Sequence, residues 1–213
     1  MRHHVAMTRL AEVFAGTADG VFPAVDGRIE VVPAPADLAV EAVVEFTGHA
    51  LVATDLPKNQ LLAQGFDAFG GMVSPDALRW LAGPGGEIGC LDAVLVRRGT
   101  GQSSLVIRSD LDAHPRVVAA RRRRNDVTVY GDERGLITVG RGLAGRWEVS
   151  VELLDAAAGK GTGRMLISEA VGHVPNGEPV FASVAPGNAA SLRAFLACGF
   201  TPIGAEVIIH PQR

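Results

Sequence analysis

Three glycines alternate with a cation and a hydroxyl in Ala158-Gly159-Lys160-Gly161-Thr162-Gly163-Arg164, between a β-branched run and an apolar stretch of helical period. A helix start exposes amides that have no partner within the helix, at the positive end of its dipole. Glycines before it let an anion come close to those amides. Lys160 and Arg164 add charge and Thr162 a hydroxyl, so the chemistry indicated is the holding of a phosphate. A nucleotide P-loop would place Ser or Thr directly after Gly159-Lys160, where Gly161 stands instead. A dinucleotide fingerprint would follow the first strand of a parallel unit and be answered by an acid about 20 residues on. Neither context is present, and the loop alone is equally a structural turn.

The run before the loop, Trp147-Glu148-Val149-Ser150-Val151-Glu152-Leu153, alternates with period two. As a strand it puts Trp147, Val149, Val151 and Leu153 on one face and Glu148, Ser150 and Glu152 on the other. The two carboxylates, Glu148 and Glu152, are candidate proton acceptors if the polar face borders a cleft. A second constellation lies further on in "GNAASLRAFLACGF", where Asn188 starts a helix and Gly199 stops it. Ser191 falls one turn into that helix and Phe195 one turn beyond.

With both constellations in place, the chain resembles the GNAT superfamily of acyl-CoA-dependent N-acyltransferases over residues 126–211. That family's pyrophosphate loop, Arg/Gln-x-x-Gly-x-Gly/Ala, aligns with 158–163, and its Asn-x-x-Ser/Ala-x-x-x-Tyr-x-x-x-Gly-Phe aligns with Asn188, Ser191, Phe195, Gly199 and Phe200. The resemblance implies acetyl-CoA as cosubstrate, cradled by Gly159, Lys160, Gly161, Thr162, Gly163 and Arg164. It further implies Asn188 and Ser191 beside the pantetheine arm, and backbone contacts to the thioester from Val151 and Leu153. The reaction implied is direct attack of a primary amine, on a small molecule or a protein, with Glu148, which lies near where relatives carry a base, ahead of Glu152 as base. Two positions depart from the pattern. Ala158 replaces an anchoring Arg or Gln, and Phe195 replaces the tyrosine that serves as general acid; Tyr130, the one tyrosine, lies on an earlier strand. A thiol of pKa about 8.5 is still a fair leaving group near neutrality. A non-catalytic acyl-CoA-binding or regulatory protein that lost its acid is the alternative, and a nucleotide-binding module a third reading.

The elements that must position these groups follow from pattern. Turn-length segments "GDERG" and "RGLAGR" divide 126–154 into a three-stranded meander. Helix 163–174, strand 178–186, helix 188–199 and a last strand "GAEVIIHP" follow. Upstream, "GRIEVVPA" and "CLDAVLVRRG" read as strands, "PADLAVEAVVEF" as a helix, "SSLVIRSD" as a further strand, and Ser74-Pro75-Asp76 as a helix start. The fold class expected is α+β: a mixed, mostly antiparallel central sheet flanked by helices, GNAT-like, with an α/β amino-terminal half. The division expected is 1–110, an acceptor-side half containing His49, Asp55 and Trp80, and 111–213, the acetyl-CoA-binding half.

At 213 residues, 47% apolar and 20% charged, the chain has the composition of an ordinary globular protein. A net charge of -3 gives no global attraction to polyanions, and the single basic run, Arg121 to Arg124, reads as a solvated helix end. Cys90 and Cys198 stand in no ligand spacing and read as reduced thiols, and no metal motif occurs. The amino terminus lacks the pattern of a secretory signal. A cytoplasmic protein without nucleic-acid, membrane or metal partners is expected, and assembly as a homodimer is left open.

Overall fold

The computed structural model describes residues 8–154 and 161–213. The chain divides into two compact units, Met1–Gly89 with Val207–Arg213, and Cys90–Glu206. The sequence reading places its division at 110/111.

In the first unit α1 (Arg9–Ala18) is capped by Thr8, whose hydroxyl accepts from the Ala11 amide at 3.3 Å. Strands β1 (Arg28–Val32), β2 (Glu41–Phe46) and β3 (His49–Ala53) form a sheet in which β3 lies between the others, parallel to β1 and antiparallel to β2. The segment read from sequence as a helix is therefore β2. A continuous apolar run suits a strand buried on both faces as well as a helix. The two-residue turn Thr47-Gly48 decides between them: Gly48 takes φ +63°, a left-handed conformation open to glycine, and returns the chain as β3. Helices α2 (Lys58–Leu62) and α3 (Pro75–Ala82) follow, and the Ser74 hydroxyl caps α3 by accepting from the Ala77 amide. Val43, Ala50, Val52, Leu61, Met72 and Leu81 are core residues of this unit. The short β4 (Glu87–Ile88) completes its strands in the 1–89 segment.

The second unit starts with β5 (Asp92–Arg98) and α4 (Pro115–Arg121), then the meander β6 (Asn125–Asp132), β7 (Gly135–Arg141) and β8 (Trp147–Leu153). Next come α5 (Thr162–Gly172), β9 (Pro179–Val184), α6 (Ala189–Ala197) and β10 (Thr201–His210), of which 201–206 belong to this unit. The strand order is β10-β5-β9-β8-β7-β6, antiparallel throughout except for β8 beside β9. The fold class is thus α+β, a mixed and mostly antiparallel sheet with helices packed on it.

Val149, Leu166, Ile167, Ala170, Val180, Ala182, Phe195 and Phe200 form the core under α5 and α6. Phe195 meets Phe200 edge to face with centroids 5.0 Å apart, the geometry the aromatic quadrupole favours. The expected strand at 103–110 is reduced to one isolated bridge, Ile107 to Tyr130. Val106 and Ile107 are both 65% exposed while Leu105 packs on the core, so the segment buries little apolar surface, and it is joined to β6 by the Arg108 amide donating to the Val129 carbonyl and the Gly131 amide to the Val106 carbonyl.

Candidate active site

The site is built where β8 ends and α5 begins. Gly161 caps α5 with φ +81° and without a side-chain bond, and its carbonyl accepts from Arg164 and Met165. Glycine supplies this left-handed entry without the strain another residue would carry. The amides of Thr162 and Gly163 open the helix, with Arg164 exposed beside them. Opposite stands α6, whose Ala190, Arg193, Ala194 and Ala197 repeat at helical spacing. Together with Leu153, Gly161, Thr162, Gly163 and Arg164 they enclose an open groove of about 720 Å³. Three alanines in the far wall leave room, and the groove carries Arg164 and Arg193 with no acid among its described lining residues. Asn188 caps α6, its Oδ1 accepting from the Ser191 amide at 3.1 Å.

Beside the groove the sheet opens. β8 and β9 pair in parallel at Trp147↔Val180 and Glu148↔Phe181, and the pairing ends there. Beyond that point β8 keeps β7 on its other edge, with Val151 opposite Ile137 and Leu153 opposite Gly135. Among the described residues the edge of 149–153 toward β9 has no strand partner. Unpaired strand edges hold backbone donors and acceptors ready for an extended ligand. Val151 and Leu153, half-buried, border the opening on the α5 side.

The opposite face of the sheet is polar and ionised. Glu148 is buried between two guanidiniums: Arg124 Nε donates to Oε1 at 2.7 Å and Arg146 Nη2 to Oε2 at 3.1 Å. Arg146 Nη2 also donates to Glu206 Oε1 at 2.6 Å, which accepts from the Ser183 hydroxyl at 2.6 Å. Burial alone would raise the Glu148 carboxyl, but Arg124 and Arg146 outweigh it and hold it below the ordinary carboxylate range. Burial likewise works to discharge Arg146, and Glu206 and Glu148 reverse it, keeping the guanidinium charged. Asp92, across from Glu206 in the β5–β10 register, is different. Burial pushes its carboxyl up; a bond from Cys90 works against this, and the charge of Glu206 adds to it.

The structure brings Gly161, Thr162, Gly163 and Arg164 together in the groove and sets Val151 and Leu153 at the opening beside it. Asn188 and Ser191 lie at the first turn of α6, while Gly159 and Lys160 lie outside the described residues. Glu148 and Ser150 share a face with Glu152, as period two requires. With both oxygens committed to arginines, Glu148 is a weak proton acceptor. Glu152 is half-buried and paired with Arg116 at 3.0 Å. Phe195, where the family carries tyrosine, is core. In the first unit His49 is bound to Asp26 at 2.9 Å and packs among its neighbours.

Four residues were missed. Arg193 was legible, because 190, 193, 194 and 197 mark one face of a helix. Asp92, Arg146 and Arg124 were not, and Arg124 corrects the reading of 121–124 as a solvated run. The helix ends at Arg121, which pairs with Asp112 in solvent at 2.7 Å, whereas Arg124 lies beyond its end with a side chain only 10% exposed.

No protein-family model matches the chain, and no curated protein matches it. Solved structures similar to it include a GCN5-related N-acetyltransferase from Kribbella flavida, 14% identical, TM-score 0.47, with 98% of this chain and 96% of that one covered. A protein described as an acetyltransferase of the GNAT family from Novosphingobium aromaticivorans is 16% identical over 61% of this chain and 69% of that one, TM-score 0.42. A functionally unknown conserved protein from Staphylococcus epidermidis is 17% identical over 64% and 66%, TM-score 0.40. At these identities and TM-scores the likeness carries no inference about activity.

Among the described residues no helix is long and apolar enough to cross a membrane, and no three His, Cys, Asp or Glu side chains are grouped to hold a metal ion.

Proposed function

We propose that the protein is an acyl-CoA-dependent N-acyltransferase that moves an acetyl group from acetyl-CoA to a primary amine. The observation that carries this reading is the parting of β8 from β9 directly beside a cationic groove at a helix start. The residues fit the cosubstrate. A pyrophosphate suits the first-turn amides of α5 with Arg164 and Arg193, and an extended amide-bearing arm suits the free edge of 149–153. A donor from that edge would stabilise the oxyanion as the amine attacks the thioester carbonyl, an effect worth roughly 10² to 10³ in rate where such donors have been removed.

Asp92 is the carboxyl on the polar face whose proton affinity is raised, and it is the base in this reading, in place of Glu148. Glu148 stays ionised and holds its two arginines. The thiolate leaves without a tyrosine to protonate it. Phe195 in the core is the one observation that favours the second reading, an acyl-CoA-binding protein without turnover.

The test is calorimetric titration with acetyl-CoA, CoA, ATP and NAD, followed by an assay of CoA release with a panel of amines. Binding of acetyl-CoA at micromolar affinity with CoA release is expected. Binding without release with any amine would favour the second reading. Preferential binding of ATP or NAD would refute both.

A further inference from the structure

Parallel strands that have begun to pair ordinarily continue, because each step of register satisfies further backbone donors and acceptors. β8 and β9 stop after Glu148↔Phe181. Continuing that register would set Ser150 against Ser183. The Ser150 hydroxyl is instead engaged away from β9, and the Ser183 hydroxyl is divided between β10 and Arg146, the residue before β8. Ser150 Oγ lies 2.7 Å from Thr138 Oγ1 on β7, and Ser183 Oγ donates to Glu206 Oε1 on β10 at 2.6 Å.

The two engagements meet in one ionic chain at the last paired step. Arg124 donates to Thr138 Oγ1 at 3.1 Å and to Glu148 Oε1 at 2.7 Å, while Arg146 Nη2 joins Glu148 Oε2, at 3.1 Å, to Glu206 Oε1, at 2.6 Å. Arg146 also reaches Ser183 Oγ, at 3.3 Å. Thr138, Arg146, Glu148 and Glu206 are all buried. Charges this far from water hold a fixed geometry, since any shift leaves one of them unpaired.

We infer that this chain is a hinge that holds β8 and β9 apart, with Ser150 and Ser183 as positioning residues that keep the slot between the strands open. The inference about what the slot receives rests on the function proposed above. The hinge itself does not. Each serine touches its own neighbours rather than a ligand, and acts by denying the two strands their next register step. Loss of the hydroxyls lets the backbone edges approach and close the slot, while the groove at α5 and α6 is untouched.

The test compares Ser150→Ala/Ser183→Ala, Ser183→Ala alone and Ser183→Thr with the parent chain. The first measurement is backbone amide hydrogen exchange at 149–153 and 182–184 without ligand. Exchange about tenfold slower or more is expected in the double alanine variant, with a smaller slowing in the single variant and none in Ser183→Thr, which keeps the hydroxyl. Unchanged or faster exchange would overturn the hinge, and if the double variant does not fold, Ser183→Ala carries the same comparison.

The second measurement is affinity for acetyl-CoA and for adenosine 3′-phosphate 5′-diphosphate, the part of CoA that lacks the pantetheine arm. The alanine variants should lose about tenfold for acetyl-CoA and nothing for the fragment. Equal loss for both would show ordinary structural damage and overturn the positioning role. If the parent chain binds neither molecule, the proposed function fails, and the exchange measurement still decides the hinge.

Discussion

Glu148 has a side chain 9% exposed and a guanidinium on each oxygen, which sets its character more than its position on β8 does. Removing one member of a buried ionic group leaves the others uncompensated, at a cost of about 3–5 kcal/mol. Glu148→Gln should therefore lower the urea midpoint strongly at pH 7. Because the folded carboxyl is held low, its contribution is complete above the unfolded value of about 4.3 and is lost as pH falls toward and through the folded one. The parent should weaken steeply below about pH 4–5, and Glu148→Gln less steeply, as read from urea midpoints between pH 3 and 7. An equal acid slope in both proteins would remove Glu148 as a source. Asp92 has the opposite sign, since a carboxyl raised by burial is destabilising once ionised. Asp92→Asn should raise the urea midpoint at pH 7 and yet lower kcat by about 10² or more, with loss of the acidic limb of the rate profile. A variant with unchanged kcat would end the assignment of Asp92 as base. The resemblance ranks Glu148 first, while the partners that quench it are Arg146, two residues before it, and Arg124, which the chain beyond α4 brings near.

At the scale of elements, the parts that turned out as read are those whose ends are marked by local chemistry. Asp132↔Gly135 closes a hairpin on two residues, with Arg134 folded back onto Asp132, and Asn188 and Ser74 cap the helices they precede. The misread elements lacked such marks. Residues 41–46 carry an apolar pattern common to helix and strand, and 103–110 has a strand's composition but leaves Val106 and Ile107 exposed. The start of α5 permits a test in which stability and binding separate. Among the described residues a Cβ at Gly163 meets nothing closer than Leu153 Cδ1 at 3.7 Å, so a side chain fits there. An acid in a helix's first turn is favourable by about 0.3–1 kcal/mol, whereas it repels an anion held by the same amides. Gly163→Asp should keep or slightly raise the melting temperature and weaken acetyl-CoA binding by about tenfold or more. Affinity equal to the parent's would show that the phosphates lie elsewhere.

Over the whole molecule, the sequence reading drew one division at 110/111, whereas compactness divides the chain at 89/90 and again at 206/207. The difference has a physical cause. β5 pairs with β9 over six residues and with 201–206 of β10, pairings remote in sequence that no local pattern announces. The same cause hid the setting of Asp92 opposite Glu206 and the bonds of Arg124 to Glu148 and of Arg146 to Glu206, which form only when segments distant in sequence come together. The groove between α5 and α6 was more legible, since each helix carries its half of it in consecutive turns. If the acyl-CoA site is contained in Cys90–Glu206, ligand protection should be confined in the same way. Hydrogen exchange with and without acetyl-CoA should slow at the start of α5, along 149–153 and on the Ala190–Ala197 face of α6, where the ligand excludes water and raises the free energy of local opening. Amides of β1, β2 and β3, all in the other unit, should exchange alike in both states. Protection concentrated in β1 to β3 would move the cosubstrate to the amino-terminal unit and leave the opening beside β9 without a ligand, since one molecule of acetyl-CoA has a single thioester to present.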